Sequence, residues 1–468
     1  MTFSWSLFVD LGIVSCALLI ASYIRSKVVF FQKYLIPNSL TAGFLLLPFY
    51  NYLAPRLGLN TTGLENIVYH LLSLSFVAMT LRKSSAPGAA KRAFSTSVTI
   101  LSQYALQGLV GLGITFFFIA TFYPDLFPGF GLTLPLGFAL GPGQAFSIAK
   151  GWEPSGFDGG GSIGLTFAAA GFIWACFGGI WLTNLGLRRG WLSGQTIKAF
   201  QKRGLITGIY ARNDKQPVGA RLTTETEAID SLSFNAAIVF VVYFASFLLL
   251  KLLTHLLGFA GQAGGNLARN LWGISFIFAV LVALLVKRLS VALRIEHVLD
   301  NGTLNRVAGL SVDLMVSSSI AAISLIVVAK YWVPIVAMAI PTGLLTALTL
   351  FWIVSRLFTE HTFHRAIMIF GALTGTLPTG LALLRIVDPE FETPVASDYM
   401  YASGITFVLA IPFILILNLP ARGYETGNTI FYWLTLLAFA GYTVFVLISY
   451  RLLAGKRAFR GSSLWYGT

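Results

Sequence analysis

Cysteine is almost absent from this chain of 468 residues, with only Cys16 and Cys176, each inside an apolar run. That scarcity excludes a disulfide framework and a thiolate metal pair, and both thiols read as small core residues. Charge is scarce too. Asp, Glu, Lys and Arg make up 11% of the residues against 56% hydrophobic, and the mean hydropathy is +0.77. Such a balance excludes an ordinary soluble domain and, despite a net charge of +14, a nucleic-acid partner; it belongs to the all-α polytopic membrane class. The five histidines, His70, His255, His297, His361 and His364, fall at span ends or in loops. None has convincing metal-ligand spacing, so the chain does not read as an enzyme. The first apolar run starts at Phe3 with no basic residue before it and no small-residue cleavage site after it, which predicts a retained span and not a signal peptide.

What is abundant is long apolar sequence. A spanning helix takes about 20 mostly apolar residues. On that measure spans are predicted near 6–24, 36–53, 66–81, 98–122 and 161–186, then near 233–252, 271–286, 308–329, 332–355 and 400–419, with an eleventh near 429–450. Lysine and arginine set the orientation. With the N-terminus outside, the loops on the cytoplasmic side collect every basic residue except Arg56, Lys150, Lys251, Arg269, Lys330 and Arg422. The excess charge is then a topology signal, with the C-terminus cytoplasmic and the protein in the inner membrane of the cell. The only long polar segment divides the chain into a first half at 1–187, a cytoplasmic linker at 188–231, a second half at 232–420, and an addition at 421–468 with the eleventh span and a basic tail.

Two stretches break the pattern. Leu134 to Pro154 is interrupted by Gly141, Pro142 and Gly143, and Ile369 to Pro389 by Gly375, Pro378 and Gly380. Proline removes a backbone donor and glycine weakens helix, so neither crosses as one helix. Both are read as re-entrant, over 131–154 and 366–389. Irregular backbone at membrane depth persists only where protein buries it or a wet cavity lies beside it, and paired broken helices point to a transport site. Five spans per half is an odd number, so a duplicated half is inserted upside down, and the two re-entrant stretches enter from opposite sides. Four matches in the same order support duplication: Ser75–Leu81 with Ser319–Leu325, Gly137 and Gly141 with Gly371 and Gly375, Lys150, Glu153 and Pro154 with Arg385, Asp388 and Pro389, and Gly164–Phe167 with Gly404–Phe407, at an offset of about 240 residues.

Half-helices that end near Gly141, Pro142, Gly143 and Gln144, and near Gly375, Thr376, Pro378, Thr379 and Gly380, expose unpaired backbone groups and dipole ends. These nine residues are the candidate solute site, and Gln144 and Thr379 are expected to approach each other. Asp313 on the eighth span, with Ser317, Ser318 and Ser319 close behind it, forms an oxygen set of the kind a hard cation prefers and is the candidate sodium site. An interfacial position for Asp313 is the alternative, and Asp10 is expected to be interfacial. Lys150 with Glu153, and Arg385 with Asp388, are gate charges or snorkelling anchors. Gly159 to Gly161 reads as a flexible lead into the fifth span, since a phosphate loop would need a lysine. A channel would need a continuous polar lining, which these spans do not offer.

Three motifs are similar to those of the bacterial sodium/glutamate symporter family: Lys33-Tyr34-Leu35-Ile36-Pro37 opening the second span, Gly141-Pro142-Gly143-Gln144, and Gly375-Thr376-Leu377-Pro378-Thr379-Gly380-Leu381-Ala382. The family's first re-entrant motif usually reads Gly-Gly-His-Gly, and here Pro142, Gly143 and Gln144 fill its last three places. The resemblance covers roughly residues 1 to 420. It implies two inverted five-span repeats, a homodimer in the lipid bilayer, elevator-like movement, and sodium-driven symport of glutamate. Another small organic anion, such as a hydroxycarboxylate, is the alternative substrate.

Overall fold

The computed structural model describes residues 5–83, 90–191, 218–225, 227–259, 271–388 and 393–459, and positions 207, 209, 212, 265, 268, 464 and 465. Most of the expected linker, with Arg269, Pro389 and Arg460, lies outside the described residues. Among the described residues all regular structure is helical. In chain order the first half holds α1 (Ser6–Lys27), α2 (Asn38–Pro48, prolonged by a π turn and a 3-10 turn to Leu57), α3 (Thr62–Leu81), α4 (Ala90–Thr121), α5 (Phe130–Leu140), α6 (Pro142–Gly151) and α7 (Gly160–Arg188). The second holds α8 (Ser231–Gly258), α9 (Ser275–Ala292), α10 (Asn301–Ala321), α11 (Leu325–Leu357), α12 (Thr362–Thr374), α13 (Leu377–Val387), α14 (Val395–Ile416), α15 (Leu419–Thr426) and α16 (Ile430–Ala454).

Nine of the described helices are long and apolar enough to cross a membrane: α1, α3, α4, α7, α8, α9, α11, α14 with α15, and α16. Large apolar side chains such as Leu19, Phe244, Trp433 and Leu437 stand exposed on them, as expected of surfaces that face lipid. The chain is a multi-pass, all-helical membrane protein. The other two expected spans fall on α2 and on α10, which carries Asn305, Arg306, Asp313 and four serines and is not among the nine. The run expected at 308–329 is also divided, because α10 ends at Ala321 and α11 starts at Leu325. Asn51 makes that break. Its amide nitrogen donates to the Ile323 carbonyl at 2.9 Å and its oxygen accepts from the Leu325 N–H at 3.0 Å, satisfying two backbone groups that the helix ends leave without partners.

Local chemistry starts several helices. Asp230 and Asp300 cap α8 and α10, accepting from the N–H of Ser233 and of Thr303 at 2.7 Å, as short acidic side chains do at helix starts. Burial would raise the Asp300 carboxyl, but hydrogen bonds from Thr303 N–H, its hydroxyl and Arg221 N–H hold it below its usual value. Gly159, read as part of a flexible lead, has φ +74°, and α7 begins directly after it at Gly160. The lead is ordered because its glycines let backbones touch. A Cβ on Gly160 would lie 2.5 Å from the Ala149 carbonyl, one on Gly164 2.6 Å from that of Ala145, and one on Gly171 2.2 Å from that of Thr374. Asp10, near the start of α1, is buried against its neighbours: it accepts from the Tyr50 hydroxyl at 2.6 Å and presses on Gly63.

The helices pack as two sets. The first joins α1, α2 and α3 to α8, α9 and α10; the second joins α4 to α7 with α11 to α16. Each set draws on both halves of the chain. Contact between them runs mainly through α6, which touches α3 and α10.

Candidate functional site

Both broken stretches are broken where expected. Gly141 has φ +95° and ψ +170°, a conformation for which a side chain is strained and glycine is not. Pro142 follows at the first helical position, where its missing N–H costs nothing. On the other side α12 stops at Thr374, Gly375 and extended Thr376 form the gap, and Pro378 lies in the first turn of α13. The first intrahelical bonds are Ala145 N–H to the Gly141 carbonyl and Gly380 N–H to the Thr376 carbonyl. The N–H groups of Gly143, Gln144, Leu377 and Thr379 precede them and have no intrahelical partner.

The two gaps touch. A Cβ on Gly141 would lie 3.6 Å from Thr376 Cγ2 and 4.0 Å from the Gly375 carbonyl, across about 235 residues of sequence. The point of contact is Gly141 with Thr376. A cavity of about 480 Å³ opens beside it, between the two sets, lined by residues 139–144 and 375–378 and by α3, α9, α10 and α14. Gly141, Pro142, Gly143, Gln144, Gly375, Thr376 and Pro378 all line it. Thr379 and Gly380 do not; the Thr379 hydroxyl is 3.3 Å from that of Thr376, and Gly380 packs on the Met368 carbonyl. Gln144 is 3% exposed and its Oε1 has no hydrogen-bond partner, nor does the buried Thr406 hydroxyl in the same wall.

The charge in this wall is of one sign. Arg82, Lys83 and Lys287 line the cavity and no Asp or Glu does. Among the described residues, none of the three has a carboxylate within salt-bridge distance. The sequence showed them only as topology charges; nothing in their spacing placed them at a site. The foot of α6 is sealed against the first set. Lys150 pairs with Glu153 at 2.9 Å and with Glu65 of α3 at 3.3 Å, and the Ser147 hydroxyl donates to the Gly273 carbonyl. Asp388, expected beside Arg385, accepts from the Thr393 N–H at 3.0 Å.

Of the four residues proposed for sodium, Asp313 and Ser317 stand one turn apart on one face of α10 and both meet Ser39, whereas Ser318 and Ser319 point away from that face. The hydroxyls of Ser317 and Ser319 donate to backbone carbonyls, those of Ser39, Asp313 and Val316. None of the four lines the cavity.

No protein-family model, curated protein or solved structure matches the chain.

Proposed function

We propose that the protein is a secondary active transporter that carries a small carboxylate with sodium, by alternating access, across the cytoplasmic membrane. The observation that carries this reading is the meeting of two broken helices at one cavity walled by three cations that, among the described residues, have no carboxylate partner and no acid beside them. Helix N-termini attract anions, and the N-termini of α6 and α13 both lie at this wall. The two packing sets fit inverted repeats. Each set takes the same positions from both halves, spans one to three in the first and the later spans with the broken stretch in the second. The first set then acts as scaffold and the second as the moving body, in an elevator-like motion within a homodimer.

Glutamate is the substrate implied by the motif resemblance. The missing carboxylate in the wall favours a second reading, a hydroxycarboxylate, because an amino acid brings an ammonium group that needs acceptors. Proteoliposomes test the mechanism: uptake is expected only with an inward sodium gradient, and unchanged uptake with potassium on both sides would overturn it. A thermal-shift screen of carboxylates, with and without sodium, separates the substrates, since a bound ligand stabilises the folded state by mass action.

A further inference from the structure

A second polar centre lies inside the proposed moving body, on residues that do not line the cavity. Gln107 of α4 is 0% exposed. Its amide nitrogen donates to the Thr346 hydroxyl of α11 at 3.1 Å and to the Leu373 carbonyl at 3.4 Å. Its Oε1 has no partner, nor does the hydroxyl of Thr342, 1% exposed and one turn before Thr346 on the same face of α11. Two unpartnered oxygens at such depth are costly, since each loses water and gains no hydrogen bond.

Leu373 belongs to the last turn of α12, a helix of 13 residues that ends at Thr374. Carbonyls of a last turn have no intrahelical donor and stand at the negative end of the helix dipole, which favours a cation. The Gln107 NH2 group therefore occupies a point where a hydroxyl oxygen and a carbonyl oxygen converge. Amide orientation follows the partners offered to it. A cation at that point would be met by the Thr346 hydroxyl, the Leu373 carbonyl and, after the amide turns over, Gln107 Oε1.

We infer that Gln107, Thr346 and the Leu373 carbonyl form a sodium site, with Thr342 beside it. All the donors are neutral oxygens, and no acid belongs to the set. Divalent ions such as calcium are held tightly through carboxylate charge, so a neutral set selects a monovalent ion. Its Leu373 carbonyl lies two residues before Gly375, where the gap begins. Binding there fixes the end of α12 and so the wall of the cavity. The inference rests on the sodium-coupled reading and moves its ion from Asp313 to α12.

The test uses the full chain in detergent, with sodium chloride against choline chloride at constant ionic strength, reading the melting temperature and the binding of radioactive sodium. Wild type is expected to be stabilised by sodium. Gln107→Leu and Thr346→Val are expected to raise the half-saturating sodium concentration about tenfold or more, equal to about 1.4 kcal/mol, while Gln107→Glu and Thr346→Ser retain binding. Should Gln107→Leu fail to fold, the Thr346 pair and Thr342→Val carry the comparison. Sodium binding in wild type that is unchanged in all these variants would overturn the site, leaving Gln107 with a buried water only, and would leave sodium coupling intact. Wild type without sodium binding, and with uptake indifferent to sodium, would overturn both.

Discussion

The two broken helices reach the same cavity but are held differently. The first is clamped to the opposite set: a Cβ on Gly143 would lie 2.7 Å from Leu72 and 2.8 Å from Met315, and Ser147 and Lys150 bind Gly273 and Glu65. The second is held by its own set, where Gly380 packs on α12 and His364 lies 3.2 Å from the Val387 carbonyl. One arm thus seals the cavity at the foot of α6. The other stands beside the wall that carries Arg82, Lys287 and the exposed Ser397. In the proposed elevator motion the contacts that must break are therefore chiefly those of α6.

The largest effect is expected where the two gaps differ most. Gly141→Ala places a side chain at φ +95° and costs on the order of 1–2 kcal/mol in strain, with uptake falling at least about tenfold. Gly375 has φ −134° and so no left-handed strain, and its Cβ would lie 3.1 Å from the Gly371 carbonyl and the Thr379 hydroxyl, a crowding of a few tenths of an ångström from which Gly375→Ala is expected to lose less. Equal losses measured in proteoliposomes would show that the comparison misjudges the first gap. Next come the side chains. Gln144→Ala is expected to lower uptake more than Thr379→Ala, because Gln144 lines the cavity and Thr379 reaches it only through Thr376, with melting temperatures near wild type in both.

Release of the seal is smaller. Glu65→Gln removes one partner of a half-exposed Lys150, a pair worth about 0–1 kcal/mol. The expected outcome is a shift of up to about fivefold toward the state closed beside Ser397, read as slower labelling of Ser397→Cys. Smallest for transport is Asp300→Ala at the α10 cap, which is expected to cost about 1 kcal/mol of stability and leave uptake unchanged. The carboxyl is held below its usual value, so its contribution is present above about pH 4, the unfolded value. It is lost as pH falls through the lower folded value. A pH dependence of the melting temperature that persists unaltered in the variant would exclude this origin.

The gaps at Gly141 and Gly375 were legible because glycine and proline act on their own backbone. The end of α10 was not. Residues 320 to 325 hold no glycine or proline, with Ser324 the one polar residue among them, and the break is fastened by Asn51, about 270 residues away. The burial of Asp10 was hidden for the same reason, since its partner Tyr50 lies on another helix. The glycines of α7 carried a signal that was visible but open to two meanings. Only the neighbouring carbonyls show that they serve close packing. Gln107 was not singled out, because it and Gln103, one turn earlier on α4, acquire meaning only from what converges on their amides.

The eleventh span, α16, packs on α4, α14 and α15 in the second set, whereas α1 belongs to the first. The two outermost helices of the chain are thereby attached to opposite sides of the proposed sliding surface. A dye on α1 and another on α16 would form a built-in ruler, their separation changing with each turnover while pairs placed within either set stay constant. Such a ruler needs no knowledge of the substrate.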